Sequence, residues 1–395
     1  MLEKKHILFL LDNAYTNDRR VYREATSLAK SGFKVTLICC INNETLREEF
    51  INGVRVIRLF DLSIFDIKNK KAIPNFVLQI EELNFDFQLI HANDQTMLEI
   101  GTRLKKNNKK RILIYDSHEL FSSWPLNVSN YNSFSIFLKS YIVRKLQIRR
   151  EKRNSKWIDY LITVNVSLAD YLRKYFKLSN PALSLRNIPE KVEKTNQKHN
   201  ILRDKFNIPD TSKILVFIGA NIYAKTLNLE QVLDEFSNKK DIALVFICGL
   251  NINSKPIQDL VIREEMKNVF FHDKIPPKDI PAYLSSADVG LVPTWNKKDL
   301  SYWYALDNKL FEYIQAGIPI LATTQPEYKL IVEENKCGIC VNPDVKNAYL
   351  NGFYQILDNY TMFQQNTIAC AEHLNWENEE QKLIDFYNNI IKQNE

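Results

Sequence analysis

Short apolar runs recur along this chain, and most are followed by a helix-length segment with one apolar stripe. The first is Ile7 to Leu11, followed by Val35 to Cys40, Val54 to Leu59, Phe87 to His91, Ile112 to Tyr115 and Leu161 to Val164. Runs this short and this rich in Val, Ile and Leu suit strands buried on both faces. Between the first two lies a segment that Asp18 can cap and Gly32 can end, with Val21, Ala25, Leu28 and Ala29 on one side. Pro74 to Leu83 and Ser167 towards Tyr175 read as further helices. A strand, a crossover helix and a second strand make a parallel pair. The series therefore predicts a doubly wound α/β domain. A second series runs through Ile214 to Gly219, Ala243 to Cys248, Val269 to Phe271, Val289 to Val292, Ile320 to Thr323 and Ile339 to Val341. The polar stretch Pro189 to Asn200 separates the two. The expected domains are 1–190 and 191–376, with a closing helix at about 377–395 that returns to the first domain. Two such domains are expected to face each other across a cleft at the carboxyl ends of their strands, where open α/β sheets take ligands.

The 395 residues leave room for two or three domains, and 45% hydrophobic with 25% charged content is globular. No run of about eighteen apolar residues occurs, so no membrane-spanning helix is expected. Lys4 and Lys5 precede only five apolar residues, too few for a secretory signal, so a cytoplasmic location is expected. Cys337, Cys340, Cys370 and His373 invite comparison with a zinc site. The gap between the two pairs is longer than zinc modules use, so structural cysteines are expected. No G-x-G-x-x-G follows the first strand, which disfavours a nicotinamide or flavin dinucleotide.

Asp307 to Pro319 reads as a capped helix running into a strand. Asp307 is a good N-cap, Gly317 suits a left-handed C-terminal position, and Pro319 cannot prolong the helix. The open amides and positive dipole end at its front can seat a phosphate. Lys309 would add a charge there, and Glu312 could accept hydrogen bonds from a ribose diol. On these residues alone, a nucleotide seat and a solvated amphipathic helix are equally good readings.

Polar clusters follow several strands: His91-Ala-Asn-Asp94, Asp116-Ser-His-Glu119, Asp18-Arg19-Arg20, and Lys225 six residues past Gly219. Each alone has a plain explanation. Asp116 and Ser117 could form a turn and cap, His91 could be a satisfied buried imidazole, and Asp18 could only cap a helix. Together, at equivalent strand ends of two domains, they favour a functional cleft.

Taken in order, these segments resemble the retaining glycosyltransferases of the GT-B fold, family 4. The resembling stretches are Asn17 to Ala25 with Leu28 to Gly32, Tyr115 to Phe121, Arg186 to Pro189, Ala287 to Pro293 and Asp307 to Pro319. The resemblance implies an acceptor-side first domain and a second domain that binds a nucleotide sugar. It gives Glu312 the donor ribose and places Gly219, Asn308, Lys309 and the amides around Leu310 at the diphosphate. Lys225 would neutralise the leaving group, and His118 would approach the transferred sugar. The catalytic set so implied is His118, Lys225 and Glu312. Asp18, Arg19, His91, Asp94, Asp116 and Glu119 would lie on the acceptor side. No metal or cofactor is expected, since cationic side chains and helix ends balance the leaving-group charge. Two positions depart from the family pattern: Ala220 stands where an arginine is common, and Tyr304 where a glutamate is common. The implied reaction transfers a sugar to a glycan or lipid-linked acceptor in bacterial surface polysaccharide or glycoconjugate assembly. A nucleotide-sugar epimerase and a silent binding subunit are the rival readings. Nucleic-acid binding is disfavoured.

From Lys139 to Lys156 the chain has eight Lys or Arg residues and one acidic residue, Glu151. Phe137, Leu138, Tyr141, Ile142 and Leu146 recur there at helical spacing. Residues 134–156 could rest on an anionic membrane. A helix packed on its own domain with a solvated charged face is the equal alternative.

Overall fold

A computed structural model describes residues 5–16, 18–42, 45–61, 72–123, 134–192, 199–219, 222 and 227–394. It divides into two units, Met1–Arg186 with Glu380–Glu395, and Asn187–Glu379.

The first unit alternates β1 (His6–Leu10), α1 (Arg19–Lys30), β2 (Lys34–Cys40), β3 (Glu48–Ile51), β4 (Val54–Phe60), α2 (Ala72–Glu82), β5 (Leu89–Asn93) and α3 (Asp94–Asn107). It continues with β6 (Ile112–Ser117), α4 (Phe134–Asn154), β7 (Tyr160–Thr163), α5 (Val166–Phe176) and β8 (Leu183–Ser184). The strands lie in the order β3-β4-β2-β1-β5-β6-β7-β8. All neighbours are parallel except β3 and β4, which form a hairpin. That hairpin lies within the apolar series, where a single strand from Val54 was expected. Its turn is Asn52-Gly53, both at positive φ (48° and 87°), the conformation a two-residue hairpin loop demands. The strand order reverses between β1 and β5, so loops leaving those two strands diverge and open a crevice at their carboxyl ends.

The second unit begins with α6 (Ile201–Phe206), β9 (Lys213–Gly219), α7 (Leu229–Phe236), β10 (Ile242–Cys248), α8 (Lys255–Arg263), β11 (Val269–His272), α9 (Ile280–Ser285) and β12 (Val289–Val292). It continues with α10 (Leu300–Trp303), α11 (Asn308–Ala316), β13 (Ile320–Thr323), α12 (Pro326–Val332), β14 (Gly338–Val341), α13 (Ala348–Asp358) and α14 (Tyr360–Ala371). Its sheet is wholly parallel, in the order β11-β10-β9-β12-β13-β14, and reverses between β9 and β12. Apolar clusters cover both faces. One gathers Val216, Val245, Leu310, Phe311 and Ile331, and the other Leu215, Phe246, Val232, Leu291 and Phe353. Alternate strand residues feed opposite clusters, which is why the strands read as continuous apolar runs. The final helix, α15 (Trp376–Asn394), belongs to the first unit from Glu380 onward.

Candidate functional site

In the first unit the polar residues converge at the reversal point of the sheet. His91 and Asp116 lie within β5 and β6; the sequence reading ended these strands at His91 and Tyr115, whereas they run on to Asn93 and Ser117. Both are fully buried. Strand pairing explains the difference, since Asn93 and Asp116 still sit opposite each other in the β5–β6 ladder. Ser117 is also in the strand and does not cap a helix; its Oγ donates to the Glu119 carbonyl at 3.0 Å.

Arg20 is the centre of this group. Its Nη2 donates to Asp116 Oδ1 at 3.0 Å and Oδ2 at 3.1 Å, and its Nη1 to the Leu185 carbonyl at 2.8 Å. Its Nε also lies 3.0 Å from Glu24 Oε1. Arg19, the candidate from sequence, is exposed. Asp18 caps α1 by accepting from Val21 N at 3.1 Å and also takes Asn13 Nδ2 at 2.9 Å. Its role is local. Glu119 is exposed.

His118 is held from two sides. Its backbone N donates to Asp94 Oδ1 at 2.9 Å, its Nδ1 lies 3.1 Å from Asp94 Oδ2, and its Nε2 lies 3.2 Å from Asp116 Oδ2. Asp94 adopts φ 57°, a left-handed conformation unusual outside glycine that is found enriched at functional sites. Burial opposes charge on His118, but Asp94 and Asp116 outweigh it and hold its pKa well above 6.5. Burial likewise opposes charge on Asp116, yet Arg20 and His118 keep its carboxyl well below the ordinary range. His118 is thus an imidazolium at neutral pH, aligned by two carboxylates and still 18% exposed.

Behind it, His91 Nε2 stands 3.5 Å from Asp116 Oδ2 and 3.6 Å from Glu24 Oε2. His91 Nδ1 shares a 2.6 Å hydrogen bond with Tyr387 Oη, contributed by α15. Burial lowers the His91 pKa and leaves the ring neutral. The ligand atoms of Glu24, His91 and Asp116 lie within 4.8 Å of one another, a spacing a metal ion could use. The guanidinium of Arg20 lies 3.0 Å from both carboxyl groups and supplies the positive charge that Asp116 needs.

Glu24 has no exposed surface, and burial pushes its carboxyl up to about 8, despite Arg20 beside it. An unfolded glutamate titrates near 4.5, so between these values the folded chain holds the extra proton and loses stability as pH rises. Glu24→Gln keeps the shape without titrating. Thermal melts at either end of that window should show a smaller pH-dependent loss in the variant than in the parent. The loss that remains includes that of Glu151, whose carboxyl burial pushes up to about 7, and that of His118, whose raised pKa gives stability below its ordinary value that disappears as pH rises through its folded one.

In the second unit the reversal point is occupied by α11. Gly317 ends it at φ 69°, and the Gly317 amide donates to the Ile314 carbonyl at 3.0 Å, as expected from sequence. The start differs. Asp307 holds the N-cap position but makes no capping bond. Its Oδ2 instead accepts from Thr294 Oγ1 and Lys309 Nζ, each at 2.6 Å. Burial would raise the Asp307 carboxyl, but Lys309 and these hydrogen bonds hold it below the usual range. The first-turn amides are therefore left without a side-chain cap, while Lys309 is already paired and rests over the Phe217 ring. Lys309 and Glu312, three residues apart, share the partly exposed face, whereas Leu310, Phe311, Tyr313 and Ile314 are buried. Asn308 is exposed at the front of the helix, and Gly219 is partly buried at the end of β9.

Sequence reasoning missed the residue that fixes this helix. Tyr313 Oη accepts from Ile218 N at 3.1 Å and lies 3.2 Å and 3.1 Å from the Val216 and Leu291 carbonyls, tying α11 to β9 and β12. Its ring covers Gly290, where an added Cβ would come within 2.3 Å of it. The signal was a glycine in a buried strand, which marks close approach. Tyr313→Phe leaves these buried groups short of a partner and should cost about 1–3 kcal/mol in denaturant unfolding of this unit.

Lys225 and Ala220 lie outside the described residues. Tyr304 ends α10, partly buried. All six cysteines are free, and Cys337 and Cys370 are buried packing thiols; Cys337 Sγ donates to the Ile331 and Val332 carbonyls at 3.7 Å each.

Two family models match this chain, one in each unit. Glycosyltransferase Family 4 matches residues 18–183, and Glycosyl transferases group 1 matches residues 212–359. An uncharacterized 41.2 kDa protein in the cps region of Klebsiella pneumoniae is 22% identical over 206 residues, 51% of this chain and 50% of that protein. The chain thus spans about half the length of this curated relative. Sucrose-phosphate synthase from Thermosynechococcus elongatus superposes with TM-score 0.74 at 18% identity, covering 99% of this chain and 100% of the other. HepE of Anabaena, solved in complex with UDP-glucose, gives TM-score 0.71 at 13% identity, covering 97% and 99%. At these identities the likeness is one of fold, and it is the fold of GT-B glycosyltransferases. Among the described residues, no helix is long and apolar enough to cross a membrane.

Proposed function

We propose that this chain, which belongs to the family 4, group 1 glycosyltransferases, moves a glycosyl unit from a nucleoside-diphosphate sugar to an acceptor hydroxyl with retention of anomeric configuration. The observation that carries this reading is the front of α11. There, uncapped first-turn amides, Lys309 and Glu312 combine an anion seat with a diol acceptor on one helix face. The nucleotide sugar bound by HepE supports the same class of donor.

In this mechanism the acceptor oxygen bonds to the anomeric carbon as the bond from that carbon to the diphosphate breaks. The acceptor proton passes to the departing phosphate, so no strong protein base is needed. The helix amides, Lys309 and Lys225 offset the charge growing on the diphosphate. Glu312 holds the ribose. The resemblance gives His118 the transferred sugar; with both ring N–H groups taken by Asp94 and Asp116, it would act there through its positive charge. The relative in a cps region supports a setting in surface polysaccharide assembly, with a glycan or lipid-linked acceptor.

The same reading gives α4 a peripheral contact with the cytoplasmic face of an anionic membrane. Leu138, Tyr141, Ile142 and Leu146 form a stripe on α4 with 38–51% exposure, among Lys145, Arg149 and Arg153.

A donor panel tests the reading through release of free nucleoside diphosphate, with and without cell-derived acceptor. Acceptor-dependent release from one donor is expected, and it should survive a chelator because side chains carry the charge. Interconversion of the donor without release would favour an epimerase. Tight donor binding without turnover would favour a silent subunit.

A further inference from the structure

A groove of about 610 Å³ opens between α2, α3 and α4 of the first unit. One wall is apolar, formed by Val77 and Leu78, the latter 57% exposed. The other carries Arg103, Lys106 and Arg153, with Glu99 as the carboxylate present. Glu99 is already engaged, 2.9 Å from Arg103 Nη2 and 4.0 Å from Arg150 Nη1. Among the described residues no carboxylate pairs with Lys106 or Arg153, and Lys156 stands near enough to act on Lys106. Burial first, then Arg103, Arg153 and Lys156, lower the Lys106 pKa, as expected for cations crowded without enough counter-charge.

This crowding has a cost, relieved in part by Glu99 and by the Trp157 ring, 5.3 Å from Lys106 Nζ. Nothing in the packing requires Lys106 or Arg153, since both are exposed. An anionic phosphate would reduce the repulsion, and its oxygens would bridge guanidinium and ammonium donors. The apolar wall gives the rest of such a ligand a greasy surface beside its charge. The groove is also distinct from the site at His118. Lys106 follows Asp94 by twelve residues along α3, about 18 Å at 1.5 Å rise per residue.

We propose that this groove binds the phosphate headgroup of an anionic membrane lipid and so fixes how the first unit lies on the bilayer. The choice of a lipid over a soluble phosphate rests on the peripheral-membrane reading given above. It is supported by the exposed stripe on α4, the helix that also supplies Arg153. The stripe supplies apolar insertion, and the groove supplies headgroup binding.

The test is flotation of the full chain with vesicles of phosphatidylcholine alone or mixed equally with phosphatidylglycerol. The parent should float only with the anionic vesicles. Lys106→Ala and Arg153→Ala should each weaken that binding about fivefold, and the pair about 25-fold. The double variant should keep the parent's melting temperature and its nucleoside diphosphate release on a soluble acceptor. Ile142→Asp separates the two ideas, because it damages the stripe and spares the groove. If Ile142→Asp abolishes flotation while the double alanine variant floats like the parent, the groove proposal is overturned and the membrane reading stands. If the parent floats with neither vesicle, both fail. Saturable binding of inorganic phosphate that is lost in the double alanine variant, while flotation of the parent is unchanged by millimolar phosphate at constant ionic strength, would assign the groove to a soluble phosphate and overturn the lipid assignment.

Discussion

Asp116→Ala is expected to destabilise the first unit by about 3–5 kcal/mol, because it strands a buried guanidinium. Arg20 directs three hydrogen bonds at this one carboxylate from a site where its own side chain is only 5% exposed. Without Asp116, its remaining acidic neighbours are Glu24, whose carboxyl burial pushes up, and Asp94. Urea unfolding followed in the first unit should show a lower midpoint. The double variant Arg20→Met/Asp116→Leu should recover much of the loss, since an apolar replacement of both partners leaves no charge to bury. His118 reports independently. With one of its two carboxylates gone, its imidazole should titrate at lower pH by NMR in whatever fraction remains folded. An unchanged unfolding midpoint would mean that Arg20 finds solvent or another partner, and that the network is not the keystone its geometry suggests.

Glu312→Ala should lower donor kcat/KM by about 10- to 150-fold, the range for losing a hydrogen bond to a charged group of ~1.5–3 kcal/mol. The melting temperature should hardly move, because Glu312 lies on the partly exposed face of α11 while the buried face anchors the helix. Glu312→Gln should recover part of the activity by keeping an acceptor oxygen. Unchanged donor affinity and turnover in Glu312→Ala would remove the nucleotide seat from this helix. Lys309→Ala is the less clean probe. Lys309 neutralises the partly buried Asp307, so its loss disturbs the helix front whether or not a phosphate binds there.

Some of this was legible in local sequence. Gly317 at the end of α11, Asp18 at the start of α1, and the strand runs of both sheets follow from propensity and burial over a few residues. The Asn52-Gly53 turn was equally legible and was passed over, though that pair is a strong hairpin signal. Arg20 and Glu24 left a fainter trace, two charged residues four apart beside the apolar stripe of α1. Asp307 shows the opposite case. Its cap position follows from sequence, but Thr294 and Lys309 claim its carboxylate, and Thr294 is thirteen residues away. Tyr387 carried no local signal at all; it meets His91 across 296 positions of chain.

The sequence by itself determined two doubly wound parallel sheets, because a buried strand and its crossover helix are specified by periodicity within about thirty residues. It also determined which residue types gather at strand ends. The tertiary structure alone decided which of those side chains share a proton or a charge. Arg20 and not Arg19 reaches Asp116, His91 turns inward to Tyr387, and His118 stays cationic between Asp94 and Asp116. The physical reason is distance. Electrostatic and hydrogen-bonding partners act over a few ångströms, and only the folded first unit brings α1, β5, β6 and α15 that near.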